Sequence, residues 1–298
     1  MLYNKISMPD KTFRKKVQKF VAQRELPLEI FRELHGRGRY VTRQVVEEEE
    51  VTHNRQFATS RFVGLGKIAL GAVDTTTGLL KDDRYHDLGM SRYFSAFDTT
   101  IEPELPSYPG GLVAVGKLIW APDATMDKLS TPFEQIDPRL EEEMRLLGPG
   151  KVADLRSLAK RDHIAVGMPG ARRTSQVATL SVLREMYAFA EANDIEYLAA
   201  GLEPEAWPDY YLRFRGGVEL MHAEGLSMQF PGIQGDQVGI RMPIKESYQR
   251  YKEATLVGPL SMRALRLMMM EYYAHKVPSY QAKGGARLTP ADILLILS

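Results

Sequence analysis

The chain has 298 residues, 44% of them hydrophobic and 26% charged, with a formal net charge of +1. This is the composition of a globular protein with a sizeable core, and the balance of charge excludes bulk nucleic-acid binding by charge alone. There are no cysteines, which excludes disulfides, thiolate nucleophiles and cysteine-ligated metals and makes a reducing cytoplasm the expected location.

Residues 1–75 read as a mainly helical extension. The first ten residues lack the apolar core of a signal peptide. Asp10 can cap a helix with Phe13, Val17, Phe20 and Val21 on one face. Leu28, Phe31 and Leu34 predict a second short helix, stopped near Gly36 and Gly38. The acidic run Glu47–Glu50 reads as a solvated face. Apolar spacing predicts helix within Phe57–Val73, weakened by Gly64, Gly66 and Gly71.

Residues 76–245 read as the core. Arg92–Asp98 is a strand by its aromatic content, and Thr99–Pro109, with three prolines, is an insertion. Gly111–Trp120 is apolar nearly throughout, which predicts a strand buried on both faces. Glu141–Leu147 is a helix closed by Gly148-Pro149-Gly150.

The stretch that follows is the most informative. Val152–Lys160 reads as a strand, Arg161–Arg173 as a Gly- and Arg-bearing loop, 175–192 as an amphipathic helix and Ile195–Ala200 as a second strand. A strand–helix–strand unit of this kind crosses over right-handed and makes its two strands parallel neighbours. Its loop brings Arg172 and Arg173 to a helix N-terminus, where unpaired N–H groups and the positive dipole end can hold phosphate. Gly217–Glu224 and Val238–Met242 are the remaining strand candidates.

Residues 246–298 read as helical again. Ser261 caps a helix over Met262–His275, and Thr289-Pro290 starts a last short element over Ala291–Leu297. Met268, Met269 and Met270 with Tyr272 and Tyr273 read as core packing, with the wall of an acyl pocket as the alternative. No run of apolar residues is long enough to predict a membrane-spanning helix.

Several of these segments, in order, resemble one family. Asp82-Asp83-Arg84-Tyr85-His86-Asp87 and then Arg92-Tyr93-Phe94-Ser95-Ala96-Phe97-Asp98 resemble the opening segment of the acyl-homoserine-lactone synthase and long-chain N-acyl amino acid synthase branch of the GNAT superfamily. Ala114-Val115-Gly116-Lys117-Leu118-Ile119 resembles that branch's G-T-x-R-L-I strand, with Lys117 in place of Arg. Asp154-Leu155-Arg156-Ser157-Leu158-Ala159 resembles its E-L-S-R-L-A, with Asp for Glu and the Arg one place early. Arg173-Thr174-Ser175-Gln176-Val177-Ala178 resembles R-x-x-G-x-A, with Gln176 for the glycine, and Gly239-Ile240-Arg241-Met242-Pro243 resembles the terminal G-x-R-x-P.

The resemblance implies a GNAT-like α/β fold: a mixed, mostly antiparallel sheet with a V-shaped splay between two central strands, flanked by helices. It implies acyl transfer from acyl-CoA or an acyl-carrier protein to a small primary amine, such as an amino acid, without a covalent enzyme intermediate or a tightly bound cofactor. A non-catalytic ligand- or partner-binding protein of the same fold is the alternative. The donor's phosphate falls to Arg172, Arg173, Thr174, Ser175 and Gln176, where a side chain in place of glycine narrows the site.

Asp154 lies on the strand expected to flank the thioester. It reads equally as a base for the attacking amine and as an ion pair with Arg156, which the period of two puts on the same face. Tyr211 stands where many GNAT enzymes place the acid for the leaving thiolate, with a packed aromatic as the alternative. Asp82, Asp83 and Asp87 are expected to meet the acceptor's ammonium, with Lys117 and Arg156 on the substrate side, and a capped turn is the alternative. His86, His163 and His222 lack metal-ligand spacing, so no metal is expected.

Overall fold

The computed structural model of the chain describes residues 40–122, 150–161, 171–203, 219–220, 227–228 and 234–244, together with 146 and 148. In chain order these form strand β1 (Tyr40–Val45), helix α1 (Glu48–Gly64), a 3-10 turn (Leu70–Ala72), strands β2 (Val73–Asp74) and β3 (Leu79–Leu80), the single helical turn α2 (Arg84–Asp87), and strands β4 (Ser91–Asp98), β5 (Gly111–Ile119) and β6 (Val152–Lys160). Helix α3 (Ala171–Ala192) and strands β7 (Tyr197–Leu202), β8 (Glu219–Leu220), β9 (Ser227–Met228) and β10 (Gln237–Pro243) complete them.

Among the described residues, eight strands make one sheet, in the order β1-β4-β5-β6-β7-β10-β8 with β9 against β10; β2 and β3 pair with each other. Each neighbouring pair is antiparallel except β6 and β7, which are parallel and joined by the crossover through α3. That is the arrangement expected of the strand–helix–strand unit.

Alternation along the strands divides the core in two. Phe94, Ala114, Leu118, Ala153 and Leu155 face α3 and pack with its Ala178, Val182, Met186, Tyr187 and Ala190. Tyr93, Phe97, Leu112, Val115 and Ala159 face the other way, towards Val51 and Ala58 of α1. With a helix on each face, β5 is buried at every position, as its unbroken apolar run requires.

Two readings of the N-terminal zone change. Within the segment expected to be mainly helical, Tyr40–Val45 is extended and pairs with β4 along its length. Of the run Glu47–Glu50, Glu47, Glu48 and Glu49 are exposed as expected, while Glu50, in the first turn of α1, is turned inward. Carboxylates at a helix N-terminus suit the dipole, so the helix starts well ahead of Phe57. Glu50 is 2% exposed, and both its oxygens accept from the Arg43 guanidinium at 2.7 Å, an ion pair that ties α1 to β1.

The proline-bearing insertion is packed down. Asp98 accepts from the backbone N–H and the hydroxyl of Thr100, and Glu104 from the N–H of Leu112. The Tyr108 ring lies 4.5 Å from that of Phe97. Helix α3 begins at Ala171, so Arg172 and Arg173 lie in its first turn. The helices expected within 1–39 and 246–298, and most of Glu141–Leu147, lie outside the described residues.

β6 carries one residue too many for its partner. Val115 faces Ala159 and Lys117 faces Arg156, so Gly116 on β5 is opposed by both Ser157 and Leu158. Such a bulge bends the strand and increases its twist. Ser157 carries a φ of 55°, a left-handed conformation that a non-glycine residue holds only under surrounding constraint. On the other side, Gly116 lets α3 sit close. A Cβ there would come within 2.2 Å of Met186 Cε and 2.9 Å of Val182 Cγ1. Gly116→Ala should therefore lower stability by about 1–3 kcal/mol through overpacking, read as a lower denaturation midpoint with an unchanged slope; a neutral substitution would mean that α3 is not seated there.

Candidate functional site

β6 and β7 part just before the bulge. They pair at Val152 with Tyr197, Ala153 with Leu198 and Asp154 with Ala199. Past that point β6 continues to Lys160 against β5 alone, and β7 continues to Leu202 against β10. Asp154 stands at the apex of this splay, on the face that α1 covers.

Asp154 is 0% exposed. Its Oδ2 accepts from Arg156 Nε at 2.9 Å, and its Oδ1 is buried without a hydrogen-bond partner among the described residues. The two side chains share a face, as the period of two predicts. Burial pushes the Asp154 carboxyl up to about 6, against the pull of Arg156 and Lys117. The sign follows from linkage: with a folded value above the ordinary one of 3.8, ionised Asp154 costs stability above about pH 6, and the cost fades as pH falls through that value. A carboxylate held this way, with one oxygen unused, is suited to accept a proton or an ammonium N–H.

Next to Arg156 across the ladder stands Lys117. The Lys117 ammonium donates to Asp83 Oδ1 at 3.0 Å. Burial lowers its pKa, and Asp83 opposes the shift. The second oxygen of Asp83 lies 3.3 Å from Arg55 Nε on α1. Tyr93 occupies the adjoining position on β4. Its hydroxyl is 3.0 Å from His86 Nδ1 of α2, and burial raises its phenol above the ordinary range.

The site therefore joins Asp83, Lys117, Asp154 and Arg156, four of the residues singled out in the sequence. Asp82 and Asp87 are exposed. Arg172, Arg173, Thr174, Ser175 and Gln176 form the first turns of α3 by their backbone, while their side chains, and all of Tyr211, lie outside the described residues. Arg55 is absent from the sequence reading. Its signal is visible only once α1 is known to begin at Glu48, because Val51, Arg55 and Ala58 then share one stripe and a charge interrupts it.

Among the described residues, no group of three or more His, Cys, Asp and Glu side chains is arranged to hold a metal ion. No described helix is long and apolar enough to cross a membrane.

The sheet is GNAT-like: mixed, mostly antiparallel, splayed between β6 and β7, with helices on both faces. No family model matches the chain, and no curated protein matches it. Among solved structures it is similar to FeeM, an N-acyl amino acid synthase from uncultured soil microbes, at 17% identity and a TM-score of 0.47 over 71% of this chain and 94% of that one. It is similar to the AHL synthase LasI at 13% identity and a TM-score of 0.45, over 72% of this chain and 95% of that one. It is also similar to BjaI, a CoA-dependent acyl-homoserine lactone synthase, at 13% identity and a TM-score of 0.47, over 77% and 89%. Function lives in the site rather than in such likeness.

Removing Asp83 tests the charge arrangement. Asp83→Ala leaves Arg55 and Lys117 buried side by side without their shared carboxylate and should cost about 3 kcal/mol near neutral pH. Deprotonation of Lys117 relieves the repulsion, so the loss should shrink as pH is raised towards 10. Melting curves of both proteins across pH check this; a loss that does not vary with pH would assign Asp83 a packing role instead.

Proposed function

We propose that this protein is an N-acyltransferase that moves an acyl group from an acyl thioester, either acyl-CoA or an acyl-carrier protein, to a small primary amine such as an amino acid. The observation that carries the reading is the buried Oδ1 of Asp154 at the apex of the splay, which has no hydrogen-bond partner among the described residues. A carboxylate oxygen kept out of water with no internal partner is costly. A reacting amine is the partner that the reading supplies.

In this reading the donor's thioester lies in the gap between β6 and β7. The amine nitrogen attacks the thioester carbon and gives a proton to Asp154, directly or through one water. The bulge at Ser157 and Leu158 takes backbone groups out of the ladder, and a freed N–H there stabilises the oxyanion. The carbon–sulfur bond then breaks, the amide remains, and the thiolate takes a proton. Tyr211 is the residue assigned to supply that proton. Arg172 and Arg173, in the first turn of α3, are assigned to the donor's phosphate together with the helix N-terminal N–H groups. The route needs no cysteine, and the chain has none. A thiol reagent in the assay therefore reports released coenzyme A alone.

Three outcomes are expected. Wild-type protein given acyl-CoA and a mixture of amino acids releases thiol; absence of release with both CoA and carrier-protein donors, while ligand still binds, would favour a binding protein. Asp154→Asn stays folded and binds donor but loses about 10²–10⁴-fold in turnover. The wild-type rate falls as pH drops through about 6, where the carboxyl takes up its proton, and the residual rate of the variant lacks that step.

Arg172→Ala with Arg173→Ala weakens donor binding, each contact being worth roughly 1.5–3 kcal/mol at low salt. Equal donor affinity in the wild type and the double variant would remove the phosphate assignment.

A further inference from the structure

The positive charge of this chain is gathered at one end. Residues 1–39 hold ten Lys and Arg against four Asp and Glu, a net +6 in a chain whose total is +1, which leaves −5 for the rest. Five of these cations, Lys11, Arg14, Lys15, Lys16 and Lys19, fall within 11–21, where there is no Asp or Glu. The same stretch carries Phe13, Val17, Phe20 and Val21 at the spacing of one helical face. It leads to β1, which pairs with β4 at the margin of the sheet, so the fold meets this segment at an edge.

The helices that pack on the sheet are patterned differently. α1 carries Glu48, Glu49, Arg55 and Arg61, and α3 carries Arg172, Arg173, Glu185 and Glu191, so each mixes both signs. A helix whose charges are all of one sign repels itself, and one of about twelve residues is marginal in water. Its partner must be negative and apolar at once. A bilayer with anionic headgroups is both: phosphates meet the cations, and acyl chains take the Phe and Val side chains. The segment is too short to span. Twelve helical residues reach about 18 Å, against about 30 Å of hydrocarbon.

We propose that residues 10–21 anchor the protein peripherally on an anionic lipid bilayer, lying in the interface plane with Phe13, Val17, Phe20 and Val21 towards the acyl chains and the five cations towards the headgroup phosphates. Asp10 supplies the cap that starts the helix. Eighteen residues lie between Val21 and Tyr40, a reach of up to about 60 Å when extended. That length lets the net negative remainder of the chain stand off a negative surface while the segment is held on it. The anchor stands apart from the transfer reading, and activity plays no part in its test.

The test sediments the full chain with vesicles of phosphatidylcholine alone and of phosphatidylcholine with about one-third phosphatidylglycerol. Each Lys or Arg near an anionic surface raises partitioning about five-fold. Wild type should therefore bind the anionic vesicles at least ~100-fold more tightly at low salt, and the preference should shrink as salt is raised. Lys15→Gln, Lys16→Gln and Lys19→Gln together should weaken that binding about 100-fold. Phe13→Ser with Phe20→Ser leaves the charges in place and should weaken it at least ~10-fold through the lost apolar contact. An unchanged melting temperature shows that a variant is folded, and Phe20→Ala alone stands in if the pair is not. No sedimentation of wild type, or equal sedimentation with both vesicles, overturns the anchor. So does anionic-vesicle binding that the phenylalanine substitutions leave intact, because the segment would then bind polyanions in general without entering lipid.

Discussion

β6 is held on both sides but can satisfy only one of its neighbours. Against β5 it stays paired to Lys160, at the expense of one extra residue between Arg156 and Ala159. Against β7 it pairs for three residues and then departs. The left-handed turn at Ser157 costs on the order of 1–3 kcal/mol, and the burial of β5 and β6 between α1 and α3 is what sustains it. The extra residue falls in the stretch of β6 that has already left β7 beyond Asp154, and opposite it the bare Gly116 gives α3 its close seat.

The charges on the α1 face are ordered by the same geometry. Asp154 pairs with Arg156 along one strand, Arg156 adjoins Lys117 across the ladder, and Lys117 shares Asp83 with Arg55. In a dry setting each charge is worth far more than at the surface, and each must be answered by another. This explains why Asp83 and Asp154, from separate parts of the chain, are both drawn to the sheet. It also explains why burial drives Asp154 up and Lys117 down, each towards its neutral form.

Much of the fold was legible in the sequence because its signals are local. The apolar run of β5, the aromatic β4 and the strand–loop–helix–strand unit from Val152 onward each announce themselves by composition and period. The shared face of Asp154 and Arg156 follows from alternation alone. What was hidden depends on distant partners. Tyr40–Val45 lacks the strict alternation of a half-buried strand, and its pairing with β4 makes it one. Glu50 looks solvated until Arg43 is found opposite it. The contact of Lys117 with Asp83 spans 34 residues, and no spacing rule links them. The bulge is a mismatch between two strands, so neither strand alone reveals it.

The claim at the centre is that the amine meets Asp154 in the splay. A crystal structure with a bisubstrate analogue, in which the donor's acyl carbon is already joined to the acceptor's nitrogen, tests it without recourse to rates. The amide nitrogen is expected at about 3 Å from Asp154 Oδ1, or one water away, between β6 and β7. An analogue bound with that nitrogen elsewhere, and Asp154 Oδ1 still without a partner, would contradict it.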